Sequence, residues 1–172
     1  EGGSVAVGED IEAALREAVR KHIQAAGTNA GDSSPKDARL VYSRPFYFRE
    51  YAVYPGGNQS IELDLRETDS VTEPYAADVR LEKVDFVTRP RRKRADAEAD
   101  GDFFRRTGVE TLTYKFKNGR WVNVGSLFEA RKVEEYAGGQ WIPVEEEVHQ
   151  TVAVDEERRG ILGRVWSSIF GR

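Results

Sequence analysis

Two short turns flanked by aromatic residues constrain the fold of this chain more than any other feature. In the first, Tyr114 and Phe116 alternate with polar residues up to the pair Asn118 and Gly119, and Trp121 follows. An Asn-Gly pair between alternating apolar residues is the strongest short-range signal of a two-residue β-hairpin. The pattern predicts that Phe116 lies opposite Trp121, so that two aromatic rings pair across the strands.

The same pattern returns later in the chain around a Gly-Gly pair. Gly138 and Gly139 stand between Tyr136 and Trp141. Glycine suits a two-residue hairpin turn because it adopts a positive φ without steric cost. We therefore expect Tyr136 to lie opposite Trp141, and we expect the strands from Val109 to Val154 to form a meander.

An amphipathic helix is predicted before these strands. Its apolar residues recur at the spacing of one helical face, with Glu9 and Asp10 in the first turn and Gly27 after the last. This arrangement predicts a helix that begins at Glu9 and ends at Ala26. The apolar face comprises Ile11, Leu15, Val19, Ile23 and Ala26.

The middle of the chain favours further strands. Aromatic residues are dense between Leu40 and Tyr54, and the residues from Ile61 to Arg66 alternate between apolar and charged types. Between Val79 and Thr88 the apolar residues change from odd to even positions near Glu82 and Lys83. If this segment is a single strand, the change predicts a β-bulge.

These elements predict an α+β fold: an N-terminal amphipathic helix packed on a curved, mainly antiparallel meander sheet, with a short C-terminal helix. The 172 residues suit one domain. We assign 1–8 to a flexible N-terminus, 9–154 to the domain and 155–172 to the C-terminal amphipathic helix. The helix followed by hairpins at Asn118 and Gly138 resembles the cystatin-like and NTF2-like proteins. The resemblance implies a curved sheet that wraps a helix, and it carries over no functional residue.

The composition argues against several kinds of chemistry. The chain has no cysteine, which excludes thiolate metal sites and cysteine nucleophiles. Its two histidines, His22 and His149, lie on separate predicted elements without a cluster of carboxylates beside them. The glycine pairs belong to hairpin turns and not to phosphate-binding loops. We therefore predict no catalytic residue, no metal and no cofactor, and we favour a protein that is not an enzyme.

A run of basic residues divides the predicted sheet into two halves. Acidic residues follow it directly at Asp96, Glu98 and Asp100, and the net charge of the chain is −4. We interpret the run as part of a solvated segment neutralised by these acids. Contact with a protein is the next alternative, and an anion or nucleic-acid contact is the least favoured. The basic residues are Arg89, Arg91, Arg92, Lys93 and Arg94.

A second apolar stripe, ringed by arginine, lies near the C-terminus. Three interpretations of this stripe are open: it packs on the domain itself, it binds a protein partner or a second copy of the chain, or it lies on a membrane surface. No run of about 18 apolar residues exists, so no transmembrane segment is predicted. The stripe consists of Ile161, Leu162, Val165, Trp166, Ile169 and Phe170.

Two classes of function fit these features. We favour a non-enzymatic binding or accessory module that contacts a protein partner through the aromatic sheet and the C-terminal helix. Small polar residues at 1–8 favour a periplasmic or extracellular location over the cytoplasm. The alternative is an NTF2-like small-molecule pocket protein or enzyme. A buried acid beside a histidine would favour this alternative, whose pocket would be lined by Phe48, Tyr114, Phe116 and Trp121.

Overall fold

The computed structural model describes residues 3–26, 35–57, 61–144 and 150–153. In this part of the chain one long N-terminal helix packs on a large antiparallel sheet, which confirms the predicted helix and antiparallel sheet. The predicted C-terminal helix and His149 lie outside the described residues. The helices are α1 (Gly3–Ala25) and α2 (Arg94–Ala99), and a 3-10 turn spans Pro35–Asp37. The strands are β1 (Arg39–Ser43), β2 (Phe46–Val53), β3 (Glu62–Glu67), β4 (Tyr75–Thr88), β5 (Phe103–Lys117), β6 (Arg120–Ala137), β7 (Gln140–Pro143) and β8 (Gln150–Ala153).

Three long strands, β4, β5 and β6, form the centre of the sheet. The described strands run in the order β1-β2-β4-β5-β6-β7, while β3 pairs with β4 and β8 pairs with β6. The expected meander therefore ends at β7. Strand β8 returns to β6, where Ala153 lies opposite Ser126.

Helix α1 begins earlier than the sequence pattern suggests. It starts at Gly3 and not at Glu9, so part of the stretch expected to be flexible is helical, and its first turn contains no acid. The residues from 4 to 7 include neither proline nor glycine, and nothing there opposes the helix. Its predicted apolar face is confirmed, since Leu15 and Val19 are fully buried and pack on the sheet.

Both hairpins have the predicted register. Asn118 and Gly119 have φ values of 51° and 76°, and Phe116 lies opposite Trp121. Positive φ at both central residues is the geometry of a type I′ turn, which an Asn-Gly pair favours. The Gly-Gly turn likewise has positive φ at both residues, and Tyr136 lies opposite Trp141. The ring centroids are 5.3 Å apart in each aromatic pair.

The predicted β-bulge in β4 is absent. Pairing of β4 with β5 runs without a shift from Ala76 opposite Lys115 to Thr88 opposite Phe103. The apolar residues change parity because two charged residues, Lys83 and Asp85, occupy positions on the face that α1 covers. Nor does the segment after β4 divide the sheet, since it forms the short helix α2 while β4 and β5 stay paired on either side of it.

Side chains alternate between the two faces of the sheet. The helix face, on which α1 packs, carries a main apolar cluster that includes Val79 and Leu112. A second cluster of Phe48, Val87 and Phe104 lies further along the same face. We name the opposite side the open face. At its β2 end this face is flanked by the 3-10 turn and by the residue after α2, since Arg49 donates hydrogen bonds to the carbonyl oxygens of Pro35 and Asp100.

Candidate functional site

An aromatic patch lies on the open face, near the Gly138 turn. Phe86 stacks on Tyr51, with ring centroids 4.5 Å apart and planes 4° from parallel. On its other side Phe86 lies 5.9 Å from the ring of Trp141. Tyr136 extends the patch outward and is 60% exposed, whereas Tyr51 at its other end is buried. We define the aromatic patch as Tyr51, Val53, Val84, Phe86, Tyr136 and Trp141.

The register of the sheet assembles this patch from four strands. Tyr51 of β2 lies opposite Phe86 of β4, and Phe86 lies opposite Arg105 of β5. Arg105 in turn lies opposite Glu134 of β6. Directly opposite residues share a face, so this row crosses the open face from side to side. The Gly-Gly turn then folds Trp141 back beside the row.

A shallow depression of about 260 Å³ lies within the patch and is lined by Val53, Val84, Phe86, Arg105 and Thr107. Arg105 is the only cation in this lining, and its charge is already engaged. Its guanidinium lies 4.5 Å from the ring centre of Trp141 and donates a hydrogen bond to Glu134. What the depression presents to a ligand is therefore mainly apolar and aromatic surface.

A buried ion cluster, consisting of His22, Tyr54, Lys83 and Glu110, lies on the helix face. The side chain of Glu110 is 5% exposed, and its carboxylate accepts hydrogen bonds from the Tyr54 hydroxyl at 2.7 Å and the Lys83 ammonium at 3.0 Å. His22, in the last turn of α1, places Nε2 3.3 Å from the same carboxylate and 3.3 Å from the Tyr54 oxygen. The cluster therefore joins the end of α1 to β4 and β5.

The partners of Glu110 hold it in the charged form. Burial alone would raise the pKa of this carboxyl, but Lys83, His22 and Tyr54 outweigh burial and lower the pKa to about 2. Burial and the charge of Glu110 raise the pKa of Tyr114 to about 12 and raise that of Tyr54 further. A general base needs a pKa near the working pH. Glu110 is thus a neutralised structural charge and not a proton acceptor at neutral pH.

A second buried ion pair extends the polar region. Arg106 Nε donates to Asp85 at 2.7 Å, and both residues are almost completely buried. The Lys83 ammonium lies 5.4 Å and the Arg106 guanidinium 5.6 Å from the ring centre of Phe128. One aromatic ring therefore contacts the cations of both pairs, and each cation has its own carboxylate.

The residues predicted to line a pocket belong to two apolar clusters of the described chain. Tyr114 and Trp121 are buried in the main cluster beneath α1, and Phe116 packs against that cluster. Phe48 belongs to the second cluster. In the main cluster Leu15, Val19 and Ile23 of α1 pack together with Tyr114 and Trp121.

The basic run at 89–94 is largely engaged within its own region. Arg91 lies 3.1 Å from Asp100, and Arg94 lies 2.7 Å from Glu98. The guanidinium of Arg89 lies over Phe104, and that of Arg92 lies over Phe46. Lys93 is the residue that precedes α2. The segment is therefore not an array of five free cations.

The described residues offer neither a metal-binding cluster nor a membrane-spanning helix. They contain no group of three or more histidine, aspartate or glutamate side chains placed to hold a metal ion. None of the helices that they form is long and apolar enough to cross a membrane. The C-terminal stripe from Ile161 to Phe170 lies outside the described residues.

Sequence reasoning missed both the ion cluster and the row of the patch, because their members are far apart in the chain. One signal was present: Lys83 and Asp85 continue the odd-numbered positions of Val79 and Leu81, which face α1.

Comparison with protein-family models, with curated proteins and with solved structures finds no match to this chain.

Proposed function

We propose that this protein is a non-enzymatic binding or accessory module that binds a protein partner through the aromatic patch. The observation that carries the proposal is the position of Phe86, Trp141 and the 60% exposed Tyr136 beside one another on the open face. Exposed aromatic groups on an otherwise charged surface are typical of protein interaction sites, where tyrosine and tryptophan are enriched.

The alternative, an NTF2-like pocket protein or enzyme, has one feature in its favour. A buried acid, Glu110, does lie beside a histidine, His22. Its pKa of about 2 and its three partners suit a structural charge better than a catalytic one. The helix also fills the space above Tyr114 and Trp121. These observations support the binding module over the pocket protein.

The finer predictions remain part of the proposal. The C-terminal stripe would supply a second contact with the partner, with a second copy of the chain or with a membrane surface. The cystatin-like or NTF2-like resemblance is supported only by the order of the helix and strands. Nucleic-acid contact through Arg89–Arg94 is less well supported, since Arg91 and Arg94 pair with nearby acids.

The patch is tested by replacing Tyr136 with serine in the full chain. Tyr136 is largely exposed, so the Tyr136→Ser variant should fold normally. Tyr42, 52% exposed near the opposite edge of the sheet, supplies the matched control Tyr42→Ser. Proteins crosslinked to each immobilised variant in extracts of the producing cells are quantified by mass spectrometry. We expect a partner retained by the wild type and by Tyr42→Ser to bind about tenfold less well to Tyr136→Ser.

Equal recovery of that partner with both variants would remove the patch as its binding surface. The contribution of the C-terminal stripe is measured separately by truncation after Arg159. Native mass spectrometry then compares assembly of the full and the shortened chain. If assembly is unchanged while thermal stability falls, the stripe is part of the core and not of the interface.

A further inference from the structure

Glu134 is a buried acid on the open face, directly beside the aromatic patch. Its side chain is only 4% exposed. It lies opposite Arg105 of β5 on one side and opposite Pro143 of β7 on the other. A carboxylate is seldom buried in the charged form unless close partners balance its charge. Glu134 therefore depends on cations from the same face of the sheet.

Two cations balance the charge of Glu134. Arg105 Nη2 lies 2.5 Å from one carboxylate oxygen, and Lys132 Nζ lies 3.0 Å from the other. Burial opposes the charge of Glu134, but the hydrogen bonds from Arg105 and Lys132 outweigh it and lower the pKa of this carboxyl below its usual range. Glu134 is therefore a carboxylate at neutral pH, and both of its oxygens are engaged within the chain.

The indole of Trp141 extends across two strands to reach the rest of the patch. Trp141 belongs to β7 and Phe86 to β4, and both β6 and β5 lie between them. Neighbouring strands are about 4.8 Å apart, so these two backbones are separated by about 14 Å. The two ring centroids are nevertheless only 5.9 Å apart. The side chains of β5 and β6 that lie between them therefore determine where the indole rests.

Arg105 of β5 supports the indole. Its guanidinium lies 4.5 Å from the ring centre of Trp141, within the range of a cation–π contact. A free arginine side chain samples many rotamers, and holding it in one of them costs conformational entropy. The hydrogen bond to Glu134 holds the guanidinium in one place, because a guanidinium and a carboxylate pair in a defined planar geometry. A line of contacts therefore runs from Glu134 through Arg105 to Trp141.

We infer that Glu134 is a positioning residue of the aromatic patch: it holds Arg105 against Trp141, and so fixes the indole beside Phe86 in the arrangement that binds a partner. Glu134 is itself too deeply buried to contact that partner. A surface that is ordered before binding loses less entropy when the partner docks, so the affinity of the patch depends on Glu134. The inference rests on the proposed function, because the partner contacts the aromatic patch.

Fluorine NMR of the full chain labelled with 5-fluorotryptophan reports on the surroundings of each indole. The chain has three tryptophans. Trp141→Phe and Trp166→Phe assign two of the resonances, and the third belongs to Trp121. Glu134→Gln keeps the shape of the side chain but leaves Arg105 and Lys132 without a counter-charge, and we expect it to move the Trp141 resonance toward its position in the urea-unfolded protein. The Trp121 resonance should not move, because that indole is buried under α1 on the other face.

Glu135→Gln is the matched control. Glu135 follows Glu134 on β6 but faces the other side of the sheet, opposite Phe104, so its variant should leave the Trp141 resonance in place. Arg105→Lys is a second test, since lysine keeps the positive charge without the planar guanidinium, and it should move the Trp141 resonance as Glu134→Gln does. A Trp141 resonance that stays in place in Glu134→Gln overturns the inference. Equal movement of the Trp121 resonance also overturns it, because Glu134 would then stabilise the whole fold.

Recovery of the crosslinked partner separates this inference from the proposed function. We expect Glu134→Gln to recover about threefold less partner than the wild type, a smaller loss than for Tyr136→Ser. If Tyr136→Ser loses the partner while Glu134→Gln retains it, the patch is the binding surface but its affinity does not depend on Glu134, and the inference is wrong. If the Trp141 resonance moves in Glu134→Gln while neither variant loses the partner, the positioning of Trp141 by Glu134 is confirmed and the proposed function fails.

Discussion

The two tryptophan hairpins share a local structure but not an environment. Each has a two-residue turn with positive φ at both residues, and in each the paired ring centroids are 5.3 Å apart. Trp121 is 9% exposed, and its indole N–H donates to the carbonyl oxygen of Ile11 in α1 at 2.9 Å. Trp141 lies on the open face beside Arg105. The same short pattern therefore forms part of the core in one hairpin and part of a surface in the other.

The difference arises from the strands that lead into each turn. Phe116 follows Leu112 and Tyr114, whose side chains are buried under α1. Tyr136 instead follows Glu134, which lies opposite Arg105 on the open face. A hairpin fixes which residues lie opposite one another, and the parity of its strand fixes the face. Local patterns thus specify the turn, while the rest of the sheet specifies its role.

Truncating each tryptophan tests this comparison with the largest expected effect. Trp121→Ala removes a buried ring and a hydrogen bond to α1, and we expect a loss of about 3 to 5 kcal/mol in the free energy of unfolding. Trp141→Ala removes a half-buried ring and its contact with Arg105, for an expected loss of about 1 kcal/mol. Urea unfolding followed by far-ultraviolet circular dichroism measures both values. Equal losses would show that the two hairpins do not differ in burial as described.

Features set by neighbouring residues could be predicted from the sequence. The register of Phe116 with Trp121 depends on the Asn-Gly turn alone, and the apolar face of α1 depends on spacing within one segment. Both predictions are confirmed. The start of α1 was placed too late, because Glu9 and Asp10 were interpreted as first-turn residues.

Features that depend on distant residues could not be predicted in the same way. The β4 bulge was expected because inward positions were assumed to be apolar, whereas Lys83 and Asp85 occupy two of them. Charged residues are tolerated there because Glu110 and Arg106, on the neighbouring strand, neutralise them. No local pattern indicates such partners. The position of the aromatic patch likewise depends on pairings among four strands.

Glu110 provides a second test, because it shows that the helix face depends on charge as well as on apolar packing. Glu110→Gln leaves the partly buried Lys83 ammonium without its carboxylate, and we expect a loss of about 3 kcal/mol. Glu62→Gln changes an exposed acid on the open face and should change stability by less than about 0.5 kcal/mol. Urea unfolding at neutral pH compares the two variants. A small effect at Glu110 would contradict the buried ion cluster.

The effect of Glu110 should also depend on pH. Its pKa is about 2 in the folded protein, whereas an unfolded glutamate titrates near about 4.3. Because the folded pKa is the lower one, the carboxylate stabilises the fold fully above about pH 4.3, and this contribution is lost as the pH falls toward 2. The stability difference between wild type and Glu110→Gln should therefore shrink across this range. A difference that is constant from neutral pH to pH 2 would be inconsistent with the charged cluster.

The turn glycines test the backbone geometry that the two hairpins share, with a smaller expected effect than Trp121→Ala or Glu110→Gln. Gly119 and Gly139 have φ values of 76° and 81°, and a Cβ at either position would contact no atom within 4 Å. Alanine at either position should lower the free energy of unfolding only by the strain of a left-handed backbone, about 1 to 2 kcal/mol. This loss should not depend on the face of the sheet on which the aromatic pair lies. Gly101→Ala, whose Cβ would also lie in open space but whose φ is not in that region, is the control and should be nearly neutral.

Urea unfolding should give equal losses for the two turns, since they differ in what covers their tryptophans and not in backbone geometry. A larger loss at Gly119 would mean that packing of α1 on Trp121 depends on the conformation of the turn itself.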